Sequence, residues 1–172
     1  MQGHSHQIQV ITDELIESIL TEARRSPRRR MNYNFHADPQ DNPHRFLNVL
    51  IEGTYVAPHR HTTPPKPESF VVLRGMLGVL CFADDGKITG RYVVSNEAAA
   101  PPPAFNNCPI VHGIDLPPGV WHTILALSPY VVCFEVKPGP WDPTADKEFA
   151  DWAPREGQPE AEACLADWLD EA

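Results

Sequence analysis

Hydrophobic residues in the first part of the chain recur with a helical period and then with a strand period. Across residues 12–25, apolar side chains return every three or four positions, and Pro27 follows soon after. This pattern predicts one amphipathic α-helix that ends before the proline. Residues 30–36 alternate strictly between apolar and polar side chains, which predicts a strand with one apolar and one polar face.

Most of the remaining chain consists of short apolar runs separated by turn residues. The predicted strands span residues 45–51, 54–61, 69–73, 76–83, 88–95, 110–116, 121–127 and 130–136. The breaks between them contain glycine, Asp-Gly or Pro-Pro-Gly, and nineteen prolines disfavour a helical bundle. Strands of this number and spacing favour a mainly β fold, either a closed barrel or a jelly roll.

The chain after residue 136 becomes rich in proline, tryptophan and acidic residues. We expect this part to wrap the barrel as an ordered tail, and residues 159–172 to form a short acidic helix. The predicted organisation is an N-terminal tail and helix over residues 1–29, a barrel over residues 30–140, and a wrapping tail with a helix over residues 141–172. A chain of 172 residues accommodates one core, which predicts a single site.

The net charge of −9 argues against nucleic acid and anionic membranes as partners, because both need a cationic surface. No apolar stretch approaches membrane-spanning length, so we expect a cytoplasmic protein. The one basic run, within residues 24–30, has two interpretations: a solvated helix end, or the anion-binding edge of a substrate pocket. Four widely spaced cysteines without a C-x-x-C pair predict neither a disulfide framework nor a zinc knuckle.

His59 and His61 form the strongest chemical signal in the chain. Residues two apart on a strand point to the same side, so both imidazoles would face one interior space. Glu68 stands at the start of the next predicted strand, and His122 follows a proline turn in a different hairpin. Such a pair alone is usually structural, but three imidazoles and one carboxylate would together hold one divalent metal ion. Open coordination positions on that ion would suit chemistry.

The order of these residues resembles the two cupin motifs. The first motif is matched by Gly53, His59, His61, Glu68 and Gly75, and the second by Pro117, Gly119 and His122. The resemblance implies a cupin-type double-stranded β-helix, a jelly-roll barrel, carrying an N-terminal helix and a short C-terminal helix. Six residues separate His61 from Glu68 where the family usually has three or four, so direct ligation by Glu68 stays open.

Over residues 8–155 the chain also resembles the WbuC family of cupin metalloproteins, which occurs in some bacterial O-antigen gene clusters. The resemblance is carried by the segments SPRRRMNYNFH, HRH with ESFVVLRG, PPGVWHT, KPGPW and DKEFADWAP. It implies a conserved metal-binding barrel without an agreed reaction. The gene clusters favour a sugar or sugar-phosphate substrate in surface polysaccharide metabolism, as an association and not a mechanism.

The polar face of the first predicted strand is a second candidate site. Its side chains are those of Arg30, Asn32, Asn34 and His36. At the barrel mouth, the arginine would bind a phosphate or carboxylate and the asparagines would hold hydroxyls; a solvated outer face is an equal alternative. Tyr55 and Phe70 share the inward parity of the predicted ligands and are expected to line the pocket. No carboxylate other than Glu68 is predicted to point inward near the histidines.

Three functions fit these residues. The first is an enzyme in which Zn, Fe, Mn or Ni acts on a small oxygen-rich, sugar-like substrate, with no catalytic residue assigned. The second is a non-catalytic module that binds a sugar or another small molecule beside a fixed metal. The third is an Fe(II)-dependent dioxygenase. A homodimer is expected in each case, because cupin-like barrels commonly pair.

Overall fold

The computed structural model describes residues 8–170, so residues 1–7 of the predicted N-terminal tail and residues 171–172 lie outside the described part. In chain order, the elements are α1 (Asp13–Arg25), β1 (Arg30–Asn34), β2 (His44–Ile51), β3 (His59–Arg60), β4 (Glu68–Arg74), β5 (Met76–Phe82), β6 (Ile88–Ser95), a short 3-10 helix (Pro103–Phe105), β7 (Ile110–Val111), β8 (Gly113–Leu116), β9 (Trp121–Ala126), β10 (Tyr130–Lys137), β11 (Glu148–Phe149) and α2 (Glu160–Asp170).

The strands form two sheets with a shared interior. The first sheet has the order β1-β2-β10-β4-β8, and the second has the order β11-β3-β9-β5-β6-β7. Neighbouring strands run antiparallel, apart from the parallel pair β6 and β7. This architecture confirms the predicted mainly β, cupin-type jelly roll with a helix near each end.

The interior of the barrel is apolar at one end and polar at the other. Leu50 and Val72 of the first sheet pack with Leu77, Val79 and Ile124 of the second in one buried cluster. Burying these side chains supplies the main favourable term in folding. The inward positions at the opposite ends of β4, β9 and β10 carry charged or imidazole side chains instead. The candidate site lies at this polar end.

Helix α1 covers the outer face of the first sheet. Its N-cap is Thr12, whose hydroxyl accepts a hydrogen bond from the amide of Leu15 at 3.2 Å, and the helix ends at Arg25, as its sequence pattern predicts. Ile16 and Leu20 are buried in a cluster with Leu47 of β2. The central strands β2 and β10 of this sheet are therefore largely buried on both faces, which removes their apolar–polar alternation.

Helix α2 packs against the second sheet. Leu165 and Trp168 are buried in a cluster with Leu80 and Phe82 of β5, and the rings of Phe82 and Trp168 lie 5.7 Å apart. The segment between β10 and α2 adds the two-residue strand β11 to the edge of β3. Within residues 8–170, no helix is both long enough and apolar enough to cross a membrane.

Two predicted strands differ from the structure. Only His59–Arg60 of the predicted strand 54–61 is regular, because side chains occupy carbonyls of the preceding backbone. Arg30 donates to the carbonyl of Tyr55, and Thr123 donates to that of Val56. The predicted strand 110–116 is broken at His112, where the chain passes from the second sheet to the first.

Candidate metal centre

The four predicted metal ligands come together at the polar end of the barrel. His59 and His122 are cross-strand partners in β3 and β9, and His61 follows directly after β3. Glu68 begins β4 in the opposite sheet, so the group bridges the two sheets. All four side chains are buried, and their ligand-capable atoms lie within 4.8 Å of one another. Such a group could hold a metal ion.

Backbone carbonyls fix the protonation of all three rings. The Nδ1 of His59 donates to the carbonyl of Ala57 at 3.0 Å, and that of His122 donates to the carbonyl of Val120 at 2.9 Å. The Nδ1 of His61 donates to the carbonyl of Asp146. Because a carbonyl only accepts, each neutral ring carries its proton on Nδ1 and keeps a lone pair on Nε2. Metal-binding histidines are commonly oriented in this way.

The Nε2 atoms face a carboxylate that also has only lone pairs to offer. Nε2 of His122 lies 3.0 Å from Oε2 of Glu68, and Nε2 of His61 lies 3.1 Å from Oε1. The His61 contact falls outside hydrogen-bond geometry, and this buried nitrogen has no hydrogen-bond partner within residues 8–170. Lone pairs at these distances repel unless a proton or a cation lies among them, so the donor set fits a metal ion.

The ionisation of the group also suits a metal. Burial lowers the pKa of His59 well below its usual range, which keeps the ring neutral. Burial raises the pKa of Glu68, but the polar contacts with His122 and His61 and the charge of Lys137 outweigh it, so that pKa lies well below its usual range. Neutral imidazole and anionic carboxylate are the forms that bind metals.

A buried ion-pair network supports Glu68 from the protein side. Nζ of Lys137 lies 3.2 Å from Oε1 of Glu68 and 3.4 Å from Oδ2 of Asp146. Asp146 also pairs with Lys66 at 2.8 Å, and its backbone carbonyl accepts from His61. The segment around residue 146 therefore neutralises two buried lysines and orients one predicted ligand.

A second carboxylate, Glu135, points into the same space. It lies on β10, two residues before Lys137, and accepts a hydrogen bond from Nδ2 of Asn48 at 2.9 Å. Burial and the charge of Glu68 raise the pKa of Glu135 to about 7, against the lowering effect of Lys137. The prediction that only Glu68 points inward is therefore wrong. Glu135 and Lys137 share the strand parity of the buried Cys133, but apolar residues occupy both faces of the first half of β10, so the sequence does not mark which face is inward.

The centre opens into a cavity that leads to the surface. An inner cavity of about 300 Å³ is lined by His59, Glu68, His122 and Glu135 among others, and an outer cavity of about 500 Å³ continues it. The two share Asn32, Phe46, Val56, Arg28, Lys137 and Lys147 as lining residues. The exposed ring of Trp141 lines the outer cavity.

The predicted substrate-binding residues have different positions. Arg30, Asn32 and Phe70 line the inner cavity, and Asn34 and His36 line the outer one with Asn32. Thus the polar face of β1 turns toward the cavity. The guanidinium of Arg30 is already occupied, because it donates to the carbonyl of Tyr55 at 2.9 Å and pairs with Glu156.

Tyr55 does not reach the metal-side cavity. Its hydroxyl donates to the carbonyl of Pro154 at 2.8 Å, and its ring stacks on Trp168 of α2 with the centroids 5.6 Å apart. The expected inward position is wrong because the backbone around Tyr55 is irregular and strand parity does not extend through it.

Comparison with known proteins extends this picture. A family model described as "Domain of unknown function (DUF6016)" matches residues 11–94. No curated protein matches the chain. Among solved structures, the capsular polysaccharide assembling protein CapF from Staphylococcus aureus is similar, at 23% identity and a TM-score of 0.51, over 69% of this chain and 28% of that one. Protein SO0799 from Shewanella oneidensis is similar at 12% identity and a TM-score of 0.53, over 81% and 85% of the two chains.

These likenesses concern the fold. The chain spans only 28% of the CapF chain, so CapF as a whole is a larger protein than the part compared. The class that fold and site define is a cupin-type barrel with a buried His/Glu group that could hold a metal.

Proposed function

We propose that this cupin-type protein is a metal-dependent enzyme that acts on a small oxygen-rich substrate, such as a sugar or a sugar phosphate. The observation that carries the proposal is the position of the His59, His61, Glu68 and His122 group, of which His59, Glu68 and His122 line a cavity that opens to the surface. A bound Zn, Fe, Mn or Ni ion would supply Lewis-acid polarisation of a substrate oxygen.

The chain's own residues supply proton transfer beside that group. Glu135 lines the same cavity, and its pKa of about 7 lets the carboxyl exist in both protonation states near neutral pH. Asn48 fixes the carboxyl by a hydrogen bond at 2.9 Å, and Lys137 holds Glu68 in place. A general acid–base role for Glu135 distinguishes an enzyme from a module that only binds.

The cavity mouth favours a polar ring as substrate. The side chain of Trp141 is 45% exposed there, and Asn32 and Asn34 line the same cavity with amide donors and acceptors. An exposed aromatic face beside amides suits a sugar, which has both apolar and hydroxyl-bearing surfaces.

The proposal extends to a cellular setting. The WbuC resemblance and the name of CapF, a capsular polysaccharide assembling protein, support a role in bacterial surface polysaccharide metabolism. The proposal also includes a cytoplasmic location and a homodimer. It includes neither nucleic acid nor a membrane as partner, because the net charge of −9 disfavours both.

Elemental analysis of protein purified without a metal-affinity step tests the metal centre. We expect about one equivalent of a divalent metal in the wild type and a loss of most of it in His122→Ala. The matched control is His112→Ala, which removes an exposed histidine between β7 and β8 and should keep the metal. Wild-type protein that stays metal-free after incubation with all four ions would refute the metal centre.

The identity of the metal directs the activity assays. Iron would favour oxygen-dependent chemistry, as in an Fe(II)-dependent dioxygenase, and zinc or manganese would favour sugar isomerisation or elimination. The enzyme proposal is supported if the wild type turns over a substrate and Glu135→Gln keeps the metal but loses the turnover. Sugar binding that Glu135→Gln leaves intact, without turnover in the wild type, would favour the non-catalytic binding module.

A further inference from the structure

Lys147 points into the cavity from the edge of the second sheet. The residue directly precedes β11, and its neighbour Glu148 pairs with Arg60 at 2.7 Å near the surface. Adjacent residues on an extended segment face opposite sides, so Lys147 and Phe149 face away from this pair. In agreement, Lys147 lines both the inner and the outer cavity, and Phe149 lines the outer one.

Among the Arg and Lys side chains that line the inner cavity, Lys147 differs in having no partner. Arg28 and Arg30 both pair with Glu156, and Lys137 pairs with Glu68 and Asp146. Within residues 8–170, no hydrogen bond or ion pair is formed by the ammonium group of Lys147. Lys147, a half-buried residue, thus lines the cavity without a carboxylate in contact with its ammonium group.

The surroundings of Lys147 are unfavourable for an isolated cation. Burial lowers its pKa, and the nearby charge of Lys137 lowers it further. Glu68 and Glu135 oppose this effect, but Glu68 is already in contact with Lys137 and the histidines. A divalent ion at the histidines would add two further positive charges close by. An anion in the cavity would compensate this excess.

We infer that Lys147 binds the anionic group, a carboxylate or a phosphate, of a small substrate whose remaining oxygens lie toward the His/Glu group. This inference rests on the proposed function and narrows its substrate class to anions. It also gives to Lys147 the anion contact that the sequence pattern offered for Arg30 as one of two equal alternatives. The guanidinium of Arg30 is held by Glu156 and by the carbonyl of Tyr55, whereas the ammonium of Lys147 is free to bind.

Chemical protection of the wild-type protein gives the first test. The metal-loaded protein is treated with an amine-acylating reagent in the presence of inorganic phosphate, acetate or chloride at equal ionic strength, and each lysine is quantified by mass spectrometry. We expect phosphate or acetate, but not chloride, to slow acylation of Lys147 severalfold. Lys87 is the control, because it lies exposed in the β5–β6 turn and should react equally in all three salts. The salt that slows acylation of Lys147, phosphate or acetate, identifies the class of anion that binds.

Calorimetric titration of variants gives the second test. Lys147→Met should weaken binding of the protecting anion about ten- to a hundredfold, as expected for losing one charged hydrogen bond. Lys147→Arg should restore most of the affinity, and Lys87→Met should leave it unchanged. Equal acylation of Lys147 in all salts, or equal anion affinity in Lys147→Met and wild type, would overturn the inference.

Metal content measured on the same samples separates the two proposals. Wild-type protein without metal would refute the proposed function, and the protection experiment on that protein would still decide the role of Lys147. Metal retained in Lys147→Met with anion binding lost supports the inference. If Lys147→Met keeps both the metal and the wild-type anion affinity, the inference about Lys147 is refuted and the proposed metal centre is not.

Discussion

Replacing Glu135 by glutamine should make the metal-free protein more stable at neutral pH. Burial first, and then the charge of Glu68, raise the pKa of Glu135 from 4.5 to about 7 in the folded state. Below pH 4.5 the carboxyl is protonated in both the folded and the unfolded chain and contributes no difference. Between pH 4.5 and 7 only the unfolded chain releases the proton, so the free energy of unfolding falls as the pH rises.

The size of this effect follows from the same shift. A tenfold change in an ionisation constant corresponds to about 1.4 kcal/mol, so the wild type should lose about 3 kcal/mol by pH 8. Glu135→Gln resembles the protonated carboxyl and can still accept the hydrogen bond from Asn48. Its stability should match that of the wild type near pH 4.5 and exceed it by up to about 3 kcal/mol at pH 8.

Urea denaturation followed by tryptophan fluorescence, after removal of metal with a chelator, measures this difference between pH 4.5 and 8.5. The control is Glu148→Gln, because hydrogen bonds from Arg60 lower the pKa of Glu148. A lowered carboxyl pKa contributes stability that is lost only as the pH falls below about 4.5, so this variant should not change the slope between pH 5 and 8. Parallel stability curves for Glu135→Gln and wild type would refute the reasoning.

The remaining predictions concern stability and are checked by urea denaturation of each variant. Lys137→Met removes a cation shared by buried carboxylates and should cost about 3–5 kcal/mol; a loss below 1 kcal/mol would contradict the network. Gly75→Ala should cost more than Gly119→Ala, because both backbones have positive φ but only the Cβ at Gly75 meets the carbonyl of Tyr130. Thr12→Ala should cost about 1 kcal/mol by removing the N-cap of α1; unchanged stability would argue against the cap.

The fold could largely be predicted from local patterns. Helix α1 follows from helical spacing and its cap, and most strands follow from apolar runs between turn residues. The exceptions depend on contacts distant in sequence. Residues 54–58 lose strand geometry because side chains such as those of Arg30 and Thr123 take their carbonyls. Strand β11 has only two residues and exists through its pairing with β3.

The candidate site could be predicted only in part. The sequence pattern predicted His59, His61, Glu68 and His122 as one group, and the structure has them close together. Strand parity and turn residues indicated the three histidines, and the loop after His61 folds back so that Glu68 joins them. It did not indicate Glu135. The first half of its strand, β10, is apolar on both faces because α1 covers the outer face, so the alternation that would mark an inward residue is hidden. The position of Lys147 depends on the pairing of β11 with β3, and no local sequence pattern predicts it.

Strand β10 shows how one barrel combines a stable core with a reactive end. Its inward residues run from Val131 and Cys133, packed in the apolar cluster, to Glu135 and Lys137, which line the cavity. The first pair gains free energy from burial, whereas Glu135 loses some by being held close to Glu68 at neutral pH. A folded chain tolerates such a cost where the neighbouring core offsets it. Because this carboxyl with a raised pKa lies beside the His/Glu group, proton transfer is the chemistry to look for there.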